Sequence, residues 1–293
     1  MTDRLSSSEF FEQLEFLNLV IRRMLAGERK GEHFSLKSGG TVEFSDHRAY
    51  TPGDDLRYLD WKVFARHGEL FIKEFAAEED AHVLLILDGS RSMDFGSPNR
   101  FFFARKLCAA LAYIALAQFD TCSVLSLGQN TTFLLREARG KRQIYPLLDR
   151  LDQSVADAKT AFDSPGVLDA LRSRQNTTAI LLSDFYDREA IRSYLRKLRA
   201  MRIRSYSIHI MTPDELHPDL QGATELVDQE TGEALQLDVD ERTLEAYQAA
   251  LQEHLDRIQS LCLRYGDGYA RMSSTTSLVP GVIQLLQTHQ MLR

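Results

Sequence analysis

The chain has 293 residues, of which 44% are hydrophobic and 26% are charged, and its net charge is −7. This composition is typical of a soluble globular protein with one large core, or a core plus an added module. The negative charge argues against a general nucleic-acid binder, because phosphate contacts need a basic surface.

The N-terminus and the cysteines predict a cytoplasmic protein. The first residues include Asp3, Arg4 and Glu9 and no apolar core, so we expect no signal peptide. The longest uncharged run, Leu107–Phe119, is too short to cross a bilayer, which takes roughly 20 apolar residues, so no membrane span is predicted. The cysteines at 108, 122 and 262 lie in apolar patterns without CxxC spacing, which favours buried, reduced thiols.

The first 80 residues divide into a helix and a charged segment. Apolar residues recur at helical spacing over Ser8–Ala26, so a helix is predicted there, with Ser8 as its N-cap. Pro52-Gly53 then predicts a turn, and Leu70–Phe75 predicts a strand. Charged residues surround the turn: Arg48, Asp54, Asp55, Arg57 and Asp60. A network of ion pairs is the preferred interpretation, because nearby arginines would hold the carboxylates ionised, and a catalytic carboxylate cluster is the alternative.

A strand ending in a polar loop follows. The run Val83–Leu87 is continuously apolar, as expected of a parallel strand covered on both faces. Asp88, Ser90 and Ser92 come directly after it, and a helix is predicted over Arg105–Gln118. Strand, polar loop and helix is the arrangement in which open α/β sheets bind ligands. Three hard oxygen donors within five residues predict a site for Mg²⁺ or Mn²⁺, although the same residues could simply cap the next helix.

The rest of the chain alternates strands and helices. A hairpin is predicted around Gly128–Asn130, and the buried run from Ala179 again ends at an aspartate, Asp184. A second hairpin is expected within Thr224–Val239. The pattern predicts an α/β fold with a doubly wound, mostly parallel sheet. Asp184 is therefore expected beside Asp88, where it could orient a coordinating water or hydroxyl.

These residues resemble a known family. Asp88-x-Ser90-x-Ser92 after a strand looks like the metal-ion-dependent adhesion site of von Willebrand factor type A domains. The segment from Phe44 to Arg66, with its Pro-Gly-Asp-Asp turn, resembles the signature of the bacterial domain-of-unknown-function 58 family, and Asp228–Glu233 resembles its later hairpin.

The resemblance implies a von Willebrand factor type A fold over residues 81–293 with a hairpin insertion near 224–239. Residues 1–80 would then hold the N-terminal helix and a β-rich, family-specific segment. It also implies metal ligands at Asp88, Ser90, Ser92, Thr160 and Asp184. Thr160 lies in Asp-Ala-Lys-Thr rather than in the glycine-rich loop usual in the family. Many relatives begin with two membrane-spanning helices, and the sequence predicts none here.

Two functions are expected from these features. The first is a non-enzymatic, metal-dependent module that binds an acidic side chain of another protein; the resemblance implies a MoxR-type AAA ATPase as partner, in chaperone-like assembly of client proteins. The alternative is a metal-dependent hydrolase or phosphatase, with Asp88 or Asp94 as nucleophile or base. Scattered histidines and the lack of an HExxH or Gly-x-Ser-x-Gly motif favour the first function.

A basic helix is predicted around Arg188–Arg204. We expect its charged side to face solvent, and a docking surface for a partner is the alternative.

Overall fold

The computed structural model describes residues 4–28, 43–76, 81–118, 120–128, 131–156, 167, 176–227, 234–266 and 268–289. The chain forms two compact units, one of Met1–Leu25 with Ala81–Arg293 and the other of Ala26–Asp80. The segment 1–80 is thus divided between them, because Leu14, Leu17 and Ile21 of the first helix are buried in the core of the large unit.

The strands and helices have the following bounds. The strands are β1 (Glu43–Ala49), β2 (Phe71–Ala76), β3 (His82–Asp88), β4 (Thr121–Leu127), β5 (Thr132–Ala138), β6 (Thr177–Ser183), β7 (Arg204–Met211), β8 (Gly222–Val227), β9 (Ala234–Val239) and β10 (Gly268–Ser273). The helices are α1 (Ser8–Glu28), α2 (Trp61–His67), α3 (Arg100–Ala117), α4 (Ile144–Gln153), α5 (Arg188–Ala200), α6 (Pro213–Leu216), α7 (Glu241–Tyr265) and α8 (Leu278–His289).

The large unit is built on a six-stranded sheet in the order β10-β7-β6-β3-β4-β5. All neighbouring strands are parallel except the antiparallel pair β4–β5 at one edge. The predicted α/β class, with a doubly wound and mostly parallel sheet, is confirmed. The strand order reverses between β3 and β6, and ligands bind at such switch points in open α/β sheets.

Both faces of the sheet are covered, as the apolar run of β3 predicts. Leu85 and Leu87 pack in one core cluster with α1, α3, α4 and α8, whereas Leu84 and Ile86 pack in a second with α5 and α7. The alternation follows from the two-residue period of a strand. All three cysteines are buried and free, as predicted, and burial raises the pKa of Cys262 to about 11.

Helix α3 begins at Arg100, five residues earlier than the predicted start at Arg105. The reason is the cap: Asn99 Oδ1 accepts a hydrogen bond from the backbone N–H of Phe102 at 2.9 Å. The second predicted hairpin is confirmed, since β8 and β9 pair antiparallel. In the described part of the chain, no helix is both long enough and apolar enough to cross a membrane.

The small unit contains the antiparallel pair β1–β2, and β2 confirms the strand predicted over Leu70–Phe75. Between these strands lie a short 3-10 turn over Leu56–Tyr58 and the helix α2. Leu59 and Ile72 are buried and form an isolated bridge that ties the turn to β2.

Candidate metal site at the switch point

The loop after β3 brings Asp88, Ser90 and Ser92 together. The backbone N–H of Ser90 donates to Asp88 Oδ1 at 2.9 Å, and the Oγ atoms of Ser90 and Ser92 lie 3.0 Å apart. Gly89 permits this turn, because its N–H bonds the carbonyl of Leu127 at 2.7 Å and a Cβ would lie 2.4 Å from that oxygen. Both hydroxyls therefore face the same side of the loop, as the alternating spacing predicts.

The end of β6 completes the other side of the site. Ser183 Oγ donates to Asp88 Oδ2 at 2.6 Å and accepts from the backbone N–H of Phe185 at 3.0 Å. Asp184, the next residue, is buried, and its Oδ1 accepts from the backbone N–H of Tyr186 at 3.3 Å. Sequence reasoning found Asp184 but missed Ser183, although its position as the last residue of the neighbouring strand was a usable signal.

A buried arginine stands behind Asp184. The side chain of Arg100, only 1% exposed, places Nη1 3.0 Å from Asp184 Oδ2 and Nη2 2.6 Å from Glu215 Oε1. The guanidinium also lies 5.9 Å from the ring centre of Tyr186. Arg100 was not predicted from the sequence, although its position gives a signal. The helix dipole disfavours a cation in the first turn of a helix, so an arginine there indicates that carboxylates lie nearby to balance its charge.

Glu215 is fixed by the short helix α6. Its Oε2 accepts from the backbone N–H and the hydroxyl of Thr212, at 2.8 and 3.0 Å, in a capping box. Its Oε1 accepts from the Tyr186 hydroxyl at 3.1 Å in addition to Arg100. The network thus holds three carboxyl groups, those of Asp88, Asp184 and Glu215, against one guanidinium, and it has an excess of negative groups.

Burial and mutual repulsion perturb these acids. Burial, and then the nearby charge of Asp184, raise the pKa of Asp88. Burial also raises the pKa of Asp184, and Arg100 opposes that rise. A low-dielectric site that holds two adjacent carboxyl groups favours a bound cation, because the cation restores the ionised form.

The donor set fits a small divalent ion. Mg²⁺ prefers octahedral oxygen ligands at about 2.0–2.1 Å, which sets adjacent ligands about 3 Å apart. The two hydroxyl oxygens have this separation, 3.0 Å, beside one Asp88 carboxylate. Over the described residues, no three His, Cys, Asp or Glu side chains come together as a larger metal centre needs. Thr160, the remaining predicted ligand, lies outside the described residues.

The histidine in contact with this network is already engaged. The His209 ring bonds the Tyr269 hydroxyl through Nδ1 at 2.8 Å, and its centre lies 5.2 Å from that of the Phe185 ring. Burial, followed by the charge of Arg100, lowers the pKa of His209 to about 3. This imidazole links β7 to β10 and packs against Phe185 just after β6, and it is not poised as a general base.

Asp94, the other residue of the hydrolase alternative, is exposed. Its Oδ1 accepts from Asn99 Nδ2 at 2.8 Å. Because Asn99 is the N-cap of α3, this hydrogen bond from Asn99 to Asp94 helps to fix the start of the helix.

Comparison with known proteins decides the family. A family model described as protein of unknown function DUF58 matches residues 46–257. The chain belongs to the DUF58 family. Among curated relatives, Uncharacterized protein Rv1480 of Mycobacterium tuberculosis and Uncharacterized protein Mb1516 of Mycobacterium bovis are each 26% identical to this chain over 249 residues, which cover 82% of this chain and 77% of theirs.

Solved structures also resemble this DUF58 chain. The conserved hypothetical protein BatB from Bacteroides thetaiotaomicron is 15% identical with a TM-score of 0.42, over 72% of this chain and 98% of that one. The manganese-loaded TRAP protein of Plasmodium vivax is 21% identical with a TM-score of 0.38, over 46% of this chain and 58% of that one.

The DUF58 match includes the charged segment of the small unit, where the interpretation as ion pairs is confirmed. Arg48 pairs with Asp54 at 2.8 Å, and Arg57 pairs with Asp55 at 2.6 Å. Asp60 caps α2 and lies 2.9 Å from His47 Nε2. The three aspartates thus have separate partners and do not form a carboxylate cluster.

Proposed function

We propose that this DUF58 protein is a non-enzymatic module that binds partner proteins through a divalent ion. The residues that would hold Mg²⁺ or Mn²⁺ are Asp88, Ser90 and Ser92, with Asp184 orienting them and Thr160 as a further candidate. When bound, the ion supplies an electrophilic centre that takes an oxygen ligand from a carboxylate of another protein.

The observation that carries this proposal is the ion pair of Arg100 with Asp184. Because Asp184 and Glu215 share the guanidinium, Asp88 is, among the described residues of the site, the carboxylate beside the two hydroxyls without a basic partner. A divalent ion there would have one carboxylate among these ligands, and an external carboxylate could take an open coordination position. Catalytic metal sites generally recruit more carboxylate or histidine ligands.

The partner is proposed from the family resemblance to be a MoxR-type AAA ATPase, acting with this chain on client proteins in chaperone-like assembly. The buried thiols support a cytoplasmic setting. The net charge of −7 gives no reason to include nucleic acid among the partners.

The test has two arms, and the first measures the ion. Calorimetric titration with Mn²⁺ is expected to give one site in the wild type and none in Asp88→Ala. Ser183→Ala, which loses the hydrogen bond that orients Asp88, is expected to weaken affinity by about 10–100-fold. Asp94→Asn is the matched control and should bind like the wild type. Equal Mn²⁺ binding by wild type and Asp88→Ala would exclude the site.

The second arm measures the partner. A purified MoxR-type ATPase from the same organism should bind the immobilised protein in Mg²⁺ but not in EDTA, and Asp88→Ala should abolish binding. If the ATPase still binds in EDTA and still binds Asp88→Ala, the metal-dependent mechanism is wrong. If the site binds the ion but the ATPase does not bind the protein, the proposed partner is wrong. Turnover of phosphoesters that vanishes in Asp88→Ala contradicts the non-enzymatic assignment.

A further inference from the structure

The buried guanidinium of Arg100 is bound more closely by Glu215 than by Asp184. Its Nη2 donates a hydrogen bond to Glu215 Oε1 at 2.6 Å. Its Nη1 lies 3.0 Å from Asp184 Oδ2, but this contact is an ion pair without the alignment of a hydrogen bond, and Oδ2 accepts no hydrogen bond from any described residue. Asp184 therefore keeps a buried acceptor with unused capacity beside the candidate metal site, as a group that awaits a ligand would.

The carboxylate of Glu215 is fixed by contacts away from the ligand loop. Its Oε2 accepts from the backbone N–H and the hydroxyl of Thr212, and its Oε1 accepts from the Tyr186 hydroxyl. The Tyr247 hydroxyl of α7 donates to the backbone carbonyl of Glu215 at 2.9 Å. Helices α6 and α7 thus set the position of this carboxylate, and the carboxylate in turn sets the position of the guanidinium.

The charge balance of the network depends on Glu215. When ionised, the carboxyl groups of Asp88, Asp184 and Glu215 carry three negative charges, and the guanidinium carries one positive charge. The group then has two net negative charges, which match one divalent ion, and without the charge of Glu215 it would have one. Charges interact more strongly here than in water, because the effective dielectric constant of such a site is about 20 rather than about 80.

We infer that Glu215 is a positioning residue that sets the affinity of the candidate site for its ion. It acts through Arg100: by binding the guanidinium, it leaves Asp184 Oδ2 available as an acceptor and keeps the negative charge that a divalent ion needs. The inference rests on the metal site proposed above. If Glu215 only capped α6, its neutralisation would leave the ion affinity of the folded protein unchanged.

Calorimetric titration of the full chain with Mn²⁺ at pH 8 tests the inference. Glu215→Gln removes the charge but retains an amide oxygen, and glutamine serves in a capping box as glutamate does. We expect the Mn²⁺ affinity to fall by about tenfold or more, as for loss of a group that supports metal ligands. The matched control, Asp214→Asn, neutralises the exposed neighbour on α6, and its affinity should stay within about twofold because water and salt screen an exposed charge.

Two further measurements separate charge from shape. Arg100→Gln/Glu215→Gln has the same glutamine at position 215 but again two net negative charges, so its Mn²⁺ affinity should return to within about threefold of the wild type. In Glu215→Gln, the logarithm of the affinity loss for Tb³⁺ should be about one and a half times that for Mn²⁺, because Coulomb energy is proportional to the charge of the ion. The Tb³⁺ comparison does not need the double variant, and circular dichroism melts check that each variant is folded.

The outcomes separate this inference from the proposed site. If folded Glu215→Gln binds Mn²⁺ like the wild type, or if Asp214→Asn loses as much affinity, the role of Glu215 is wrong. It is also wrong if the double variant regains no affinity and Tb³⁺ is weakened no more than Mn²⁺. In these cases the metal site stands as long as the wild type binds Mn²⁺ and Asp88→Ala does not. If the wild type binds no Mn²⁺, or Asp88→Ala binds it equally well, the site and the inference are both wrong.

Discussion

The network around Arg100 and the ion pairs around Pro52-Gly53 use the same charged groups in opposite surroundings. Arg100 is 1% exposed and bridges two buried carboxyl groups, whereas the Arg57 side chain is 82% exposed beside Asp55. Water competes for the exposed pair and screens it, but it cannot replace a missing partner in the buried network. The comparison teaches that the buried charges define a site, and that the exposed pairs mainly fix the shape of a turn.

The largest effect should come from removing the buried cation. Arg100→Met leaves Asp184 and Glu215 without their shared partner, and we expect a loss of about 3–5 kcal/mol in the free energy of unfolding, measured by urea denaturation. Lys106→Met, the same replacement type on the same helix at a partly exposed position, should change stability by less than about 0.5 kcal/mol. If both variants lose a similar amount of unfolding free energy, burial of the charge does not determine its contribution to stability.

An intermediate effect should appear in the dependence of stability on pH. Because burial and Asp184 raise the pKa of Asp88 to about 7 in the folded chain, above the ordinary value of 3.8, the folded state binds more protons between these limits. Asp88 therefore contributes stability below pH 4 that is lost as the pH rises toward 7, with a slope of at most about 1.4 kcal/mol per pH unit. His209, whose pKa is lowered, acts in the opposite direction over an overlapping range.

The difference between two profiles isolates Asp88. The free energies of unfolding of wild type and Asp88→Asn are measured in EDTA from pH 4 to pH 7. The wild type should lose stability relative to the variant as the pH rises, since only it carries the titrating carboxyl group. Parallel profiles would show that Asp88 is not buried beside a second charge.

The smallest effect should come from the exposed pair. Arg57→Gln removes the contact with Asp55 at the surface, and we expect the urea midpoint to stay within the error of the measurement, because exposed pairs are screened and entropically costly. A loss of unfolding free energy as large as that of Arg100→Met would mean that the ion pair of Arg57 and Asp55 contributes strongly to stability despite its exposure.

Local pattern predicted most of the fold and part of the site. The apolar run of β3, the strand ending at Asp184 and the hydroxyls at Ser90 and Ser92 are all readable within a few residues. Arg100 and Glu215 were not predicted as partners, because they lie 115 positions apart and meet only when α3 and α6 pack beside the same strand ends. Ser183 was overlooked because a serine at a strand end has many ordinary uses.

The hydrogen bond from Ser183 to Asp88 joins residues 95 positions apart across the two halves of the sheet. Such non-local contacts form late, because a long chain segment must be ordered before they can close. On an emerging polypeptide, the loop after β3 exists long before its partners on β6 and α6 have been made. The candidate metal site is therefore complete only after the domain has folded. We expect the ion to bind after folding and not to direct folding.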